Sequence, residues 1–260
     1  MMDDSDGRKV NRIALAAVRG LLLLLILVVG GYLRFTGMDW DEGQWIHPDE
    51  GHMRIITSAI HSPDDWSVYF DTHRSPLNCR NNGYQYSYGT LPLFLTRLTG
   101  EWLDRGCGES PDRWSAAVGA VLLGDEFADC RPGTFTGSAS ALVGRTFSAL
   151  ADLGTLVLLY LLGRRLYGAD VGLLAAALGA LTAFLIQQTH FFTVDSMACF
   201  FVTLTAYLSV RAGQSGGWTS FALAGLTTGL AAACKIDGVL AALFVVLAAG
   251  WRLWEKRYVE

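Results

Sequence analysis

Between Ile13 and Leu33 the chain carries a single charge, Arg19, and the stretch from Leu21 to Val29 is unbroken apolar sequence. A segment of ~20 such residues is long enough to cross ~30 Å of hydrocarbon. There a single segment has to satisfy its own backbone hydrogen bonds as a helix. The basic residues before it and its compact apolar core also fit a secretory signal peptide. No small-x-small cleavage site follows closely, however, and Gly30-Gly31-Tyr32-Leu33-Arg34 continues the segment.

Five more apolar segments follow a long polar one, at about Ala141–Leu162, Val171–Ile186, Val194–Val210, Trp218–Ala233 and Val239–Trp251. With 52% hydrophobic residues and 17% charged ones, the chain reads as an all-α, multi-pass membrane protein with about six spans. Several segments fall short of a full span, so their ends are expected to extend outward. Arg8, Lys9, Arg12, Arg164, Arg165, Arg211, Arg252, Lys256 and Arg257 all fall on one side of that topology, which makes it the cytoplasmic side. Lys235 is the exception in a short connection. The expected organisation is a cytoplasmic tail (1–12), a first span (13–35), an extracytoplasmic loop (36–140), a five-helix bundle (141–254) and a cytoplasmic end (255–260).

The loop holds fifteen acids and seven arginines, a net charge of −8, so nucleic acid and anionic lipid headgroups are poor partners for it. Asp64-Asp65 and Asp125-Glu126 read as solvated acidic positions. Met53, Ile56 and Ile60 within Gly51–His61, and the apolar residues of Leu91–Leu103, recur at helical spacing. Both segments are expected along the membrane surface, together with Trp40, Trp45, Trp66, Tyr69, Tyr84, Tyr86 and Tyr88. Asn81-Asn82-Gly83 marks a turn between them. Cys79, Cys107 and Cys130 lie where a disulfide can form, although three cysteines cannot all pair within one chain. Cys199 and Cys234 read as packed helix residues, and Gly225-x-x-x-Gly229 as a helix-packing motif. Neither a GxxxxGK[ST] loop nor a Rossmann glycine pattern is present, so no nucleotide cofactor is expected and an activated donor would arrive through the bilayer.

Chemistry concentrates at the loop ends of the helices. His47-Pro48-Asp49-Glu50 places two adjacent carboxylates just after the first span, where partial dehydration and mutual repulsion suit proton transfer. His190 and Asp195 lie between the third and fourth spans, and Lys235 and Asp237 follow the fifth. Charges at that depth require a partner, water or a function. Lys235 is suited to a lipid-carrier phosphate, or alternatively to a snorkelling pair with Asp237. Asp195 suits a site role or a helix N-cap, and His190 a site role or a carbonyl contact. Arg145 and Asp152, seven apart, share a helix face, with Arg145 near enough to the loop to contact phosphate. The spacing of His47 and His52 is not that of HExxH, yet Asp49, Glu50 and His47 offer ligands for a divalent cation.

The motifs Tyr32-Leu33-Arg34 leading to His47-Pro48-Asp49-Glu50, Tyr88-Gly89-Thr90-Leu91-Pro92-Leu93, Val143-Gly144-Arg145, Leu161 to Gly168, His190 to Ser196, and Gly229 to Lys235, in that order, resemble the GT-C glycosyltransferases. Within that fold they are similar to the protein O-mannosyltransferases and the aminoarabinose transferases of lipid A. The resemblance implies a polyprenyl-phosphate sugar donor, a protein, lipid or glycan acceptor, Asp49 as base with Glu50 beside it, and Asp195 and Lys235 near the donor. Family members usually carry more helices, so it also implies that this chain is an N-terminal catalytic portion. A transporter or lipid flippase is the alternative, which would place ionisable groups at the bilayer midplane, where Asp152 alone comes close. A non-catalytic scaffold would leave Asp49-Glu50 far from His190, Asp195 and Lys235.

Overall fold

A computed structural model describes residues 4–44, 46–124, 127, 130, 131, 135 and 137–258, so Trp45 and the Asp125-Glu126 pair lie outside the described residues. No strand occurs among them, and the expected all-helical architecture is what is found. The helices are α1 (Asp4–Phe35), α2 (Pro48–Ala59), α3 (Leu91–Leu103), α4 (Arg113–Leu123), α5 (Gly137–Tyr167), α6 (Ala169–Leu181), α7 (Ala183–Thr189), α8 (Asp195–Ser215), α9 (Trp218–Cys234) and α10 (Ala242–Tyr258).

Among the described residues four stretches are long and apolar enough to span a bilayer: Asn11–Phe35, Ala139–Tyr167, Asp195–Ser215 and Ile236–Arg257. A fifth arises if α6 and α7, bent by 60° at Thr182, count as one. The expected six thus become four or five. Composition registers apolarity and not where a helix breaks. The Val171–Ile186 segment is interrupted at Thr182, and α9 ends at Cys234 after 17 residues, because Lys235 is extended. At 1.5 Å per residue α9 is ~26 Å long.

Arg34 and Asp152 explain how the α6–α7 break is tolerated. A bend frees carbonyl groups that hydrocarbon cannot satisfy. Arg34, fully buried at the end of α1, donates to the carbonyls of Gly30, Gly179 and Ala180. Its charge is met by Asp152 of α5 at 2.6 Å. Asp152, the acid expected nearest the midplane, therefore has a fixed partner.

α9 packs on α8 through Ala224, Thr227, Thr228 and Ala231, with Thr227 and Thr205 hydroxyls 2.8 Å apart. Gly225 and Gly229 point away from this face into open space, so the GxxxG motif is not the packing surface among the described residues. At the end opposite the loop, Arg165 bonds Gln214 and Arg19 pairs with Asp170.

The loop folds back on the bundle. Met53, Ile56 and Ile60 of α2 bury against Leu77, Leu93, Phe192 and Val194. The apolar face predicted to lie in the membrane surface is therefore covered by protein, and each such side chain stabilises by roughly 1.5–3 kcal/mol. A second cluster joins Leu103, Leu123, Phe135 and Leu142 beneath α4, fastened by the disulfide Cys107–Cys130. Cys79 is left as a buried thiol. The expected turn closes at Gly83, whose φ of 81° favours glycine.

Candidate active site

His47 is extended, as Pro48 requires, and its ring nitrogen accepts from the Glu50 N–H. Pro48 opens α2, and the two acids lie in its first turn, where the helix dipole favours negative charge. A helix turns about 100° per residue, so neighbours point in different directions. Glu50 points inward and is fully buried, whereas Asp49 is exposed.

Glu50 is held by Arg145 of α5 in a bidentate pair, 2.7 and 2.8 Å, and also accepts from the Phe192 N–H at 2.8 Å. Arg145 further meets Asp41 at 3.0 Å and donates to the Met38 carbonyl, with Trp40 stacked over its guanidinium at 5.7 Å. Two carboxylates thus share one buried cation. This sealed cluster fastens the start of α2 to α5 and engages four of the five N–H groups of Arg145. A phosphate contact by Arg145 would require the cluster to open.

Asp195 is the first residue of α8, not its N-cap, and its carboxylate reaches Lys235 at 2.9 Å. Lys235 pairs with Asp195 instead of Asp237. This pair is open, with side-chain exposures of 36% and 46% for Lys235 and Asp195. The hydrogen bond that Lys235 donates to Asp195 raises the Lys235 pKa and keeps the ammonium charged. The Tyr88 ring lies 6.0 Å from its Nζ. Gly89 donates to the Cys234 carbonyl at 3.1 Å, and a side chain at position 89 would meet the Ala233 carbonyl at 2.1 Å. Glycine is what lets the loop reach Lys235.

Asp49 joins this open face. Tyr86 interacts electrostatically with both Asp49 and Tyr88, and burial pushes its phenol pKa up. Its hydroxyl is buried without a hydrogen-bonding partner among the described residues. Its ring stacks on His52 and meets Tyr88 edge-on. Asp49 makes no hydrogen bond or ion pair among the described residues.

The two ring nitrogens of His190 face the carbonyls of Ile186 and Thr36, both at 2.9 Å, and its own carbonyl accepts from Trp40. It ties the loop to α7 and is not directed at Lys235. Below Asp195 a cleft of about 380 Å³ opens between α5, α7 and α8, lined by Asp152, Phe184, Leu185, Gln188 and Cys199. Cys199, expected to be packed, is exposed on this cleft.

No group of three or more potential ligands converges on a metal position among the described residues. The proposed donors do not suit one: both Glu50 oxygens are engaged by Arg145, and His47 Nδ1 caps α2. Sequence reasoning missed Arg34, Asp41 and Tyr86 as site-organising residues. Arg34 and Tyr86 carried a signal in being polar groups beside apolar sequence, whereas nothing local marked Asp41.

No curated protein and no solved structure is significantly similar to the chain. The family model described as dolichyl-phosphate-mannose-protein mannosyltransferase matches residues 134–259, a stretch that holds Arg145, His190, Asp195 and Lys235 but not Asp49 or Glu50. Over that stretch the chain is similar to this mannosyltransferase family, which supports a membrane glycosyltransferase of the GT-C type.

Proposed function

We propose that this membrane glycosyltransferase moves a sugar from a polyprenyl-phosphate donor to an acceptor hydroxyl, on the extracytoplasmic side, at the face shared by Asp49 and Lys235. The observation that carries the reading is the opposite fate of two adjacent acids: Glu50 is locked to Arg145, and Asp49 is exposed and unpaired beside Tyr86, whose ring meets the Tyr88 ring that lies under Lys235.

The chemistry follows from that arrangement. Asp49 takes the proton of the acceptor hydroxyl as its oxygen attacks the anomeric carbon. The bond from that carbon to the phosphate oxygen breaks, and polyprenyl phosphate leaves with the electron pair, its charge met by Lys235. A phosphate is a good leaving group, so a base and a cation suffice without a general acid. One displacement inverts the anomeric centre. The cleft beneath Asp195 offers the prenyl chain a place beside its headgroup. Asp195 orients Lys235, and Glu50 with Arg145 holds the α2 start that carries Asp49. No step is derived through a metal.

Membranes carrying the Asp49→Asn variant, incubated with labelled polyprenyl-phosphate sugars, are expected to lose transfer by at least ~100-fold, the contribution of a positioned base. Insertion and helix content should be unchanged. Transfer at the unmodified rate would remove Asp49 from the mechanism.

A further inference from the structure

Two residues beyond Tyr88, Thr90 forms one wall of a second, open groove of about 670 Å³. Tyr69 and Phe70 supply another wall, Phe94 of α3 a third, and Asn78 and Arg80 complete it. Tyr69 meets Phe70 edge-on at 4.8 Å and Phe94 at 6.4 Å, which makes an aromatic corner. Phe70 is 87% exposed, more than any other large apolar side chain among the described residues. Core packing does not account for a ring held this far into solvent.

Arg80 stands at the groove on a rigid turn. Asn78 accepts from the Arg80 N–H and donates to the Thr72 carbonyl, and Asn81 donates to the carbonyls of Thr72 and Ser75. The guanidinium itself is exposed and makes no hydrogen bond or ion pair among the described residues. It also walls an adjoining pocket with Gly83, Tyr84 and Gln85. It is an exposed cation in a segment with a net charge of −8.

We propose that the groove binds an anionic sugar, a ring bearing a carboxylate or phosphate, as the acceptor. The apolar C–H face of a pyranose packs on Phe70 and Tyr69, and the planar fork of Arg80 takes the anion in bidentate fashion. An acyl chain would call for an unbroken apolar wall, and Arg80, Asn78 and Thr90 interrupt this one. The inference deepens the proposed function and rests on it for the ligand's role as acceptor, whereas binding itself is independent of transfer.

The test is calorimetric titration of the full chain in nanodiscs with a glucuronate-terminated disaccharide, a phosphorylated disaccharide, a neutral disaccharide and inorganic phosphate. At least one charged disaccharide is expected to bind about tenfold or more tighter than the neutral one, the scale of a charge-assisted hydrogen bond. Arg80→Gln should erase that preference, and Phe70→Ala should weaken all the disaccharides alike. Equal binding of neutral and charged sugars, inorganic phosphate binding as tightly as the phosphorylated sugar, or an Arg80→Gln variant with intact preference would each overturn the site. Unchanged affinity for every disaccharide in Phe70→Ala would also overturn it, returning that ring to the membrane interface. Selective binding without transfer to the charged sugar upholds the groove and defeats the acceptor role.

Discussion

Two acid–base clusters occupy the loop end of this bundle, and they are built in opposite ways. Glu50, Arg145 and Asp41 are sealed, with every charge fixed by a partner or a backbone group. Asp195 and Lys235 meet each other at 2.9 Å and stay accessible, and Asp49 is exposed as well. A sealed cluster positions the backbone and cannot exchange its partners for a ligand without unfolding around it. An open pair can trade one partner for a phosphate at little expense. The difference teaches that charge in a membrane protein is not by itself a mark of the site; accessibility sorts the scaffold from the chemistry.

The sharpest way to break the comparison is to remove the shared cation. Arg145→Met strands two buried carboxylates and is expected to destabilise the fold by about 3–5 kcal/mol, read as a large drop in thermal midpoint in detergent. A midpoint within a degree or two of the unmodified protein would mean that the sealed cluster carries no structural weight. Lys235→Ala should do the reverse. An exposed pair contributes only about 0–1 kcal/mol, so stability stays nearly level while affinity for a polyprenyl-phosphate sugar falls about tenfold. Unaltered donor affinity would make Lys235 a surface charge and nothing more.

Glu101 sharpens the comparison as an intermediate case with the smallest effect. Burial alone would raise its carboxyl, but hydrogen bonds from Ser62, with Arg97 beside it, outweigh that and hold the pKa below the ordinary value. A depressed acid stabilises the fold above its unfolded pKa, and the gain fades as pH falls through the folded one. Glu101→Gln should therefore flatten the acid limb of a stability–pH curve by a few tenths of a kcal/mol, discounted for solvent screening. An unchanged acid limb would show that Glu101 adds nothing there.

Much of this was legible in the chain. Apolar length gave the membrane-spanning helices and helical spacing gave α2 and α3, although α2 begins at Pro48, ahead of the expected Gly51. Asp195 and Lys235, both expected near a donor, meet each other across forty residues. Their partners were harder to read. Asp237 is the nearest acid to Lys235 in sequence, yet the C-terminus of α9 turns Lys235 toward the start of α8. The apolar faces of the loop helices matched an interfacial helix equally well, because a period of 3.6 marks a buried side without saying what buries it.

The sequence by itself determined that this protein is a bundle of apolar helices with a long acidic loop, because hydrocarbon leaves a spanning segment few choices of backbone. It also placed Asp49, Glu50, Asp195 and Lys235 at the loop ends of the helices. Only the tertiary structure decided which of two adjacent acids is free, that Arg34 stitches a broken helix, and that the GxxxG face is left open. Those outcomes depend on helix rotation and on contacts between residues far apart in the chain, such as Glu50 with Arg145 and Arg34 with Asp152, and no local pattern encodes them.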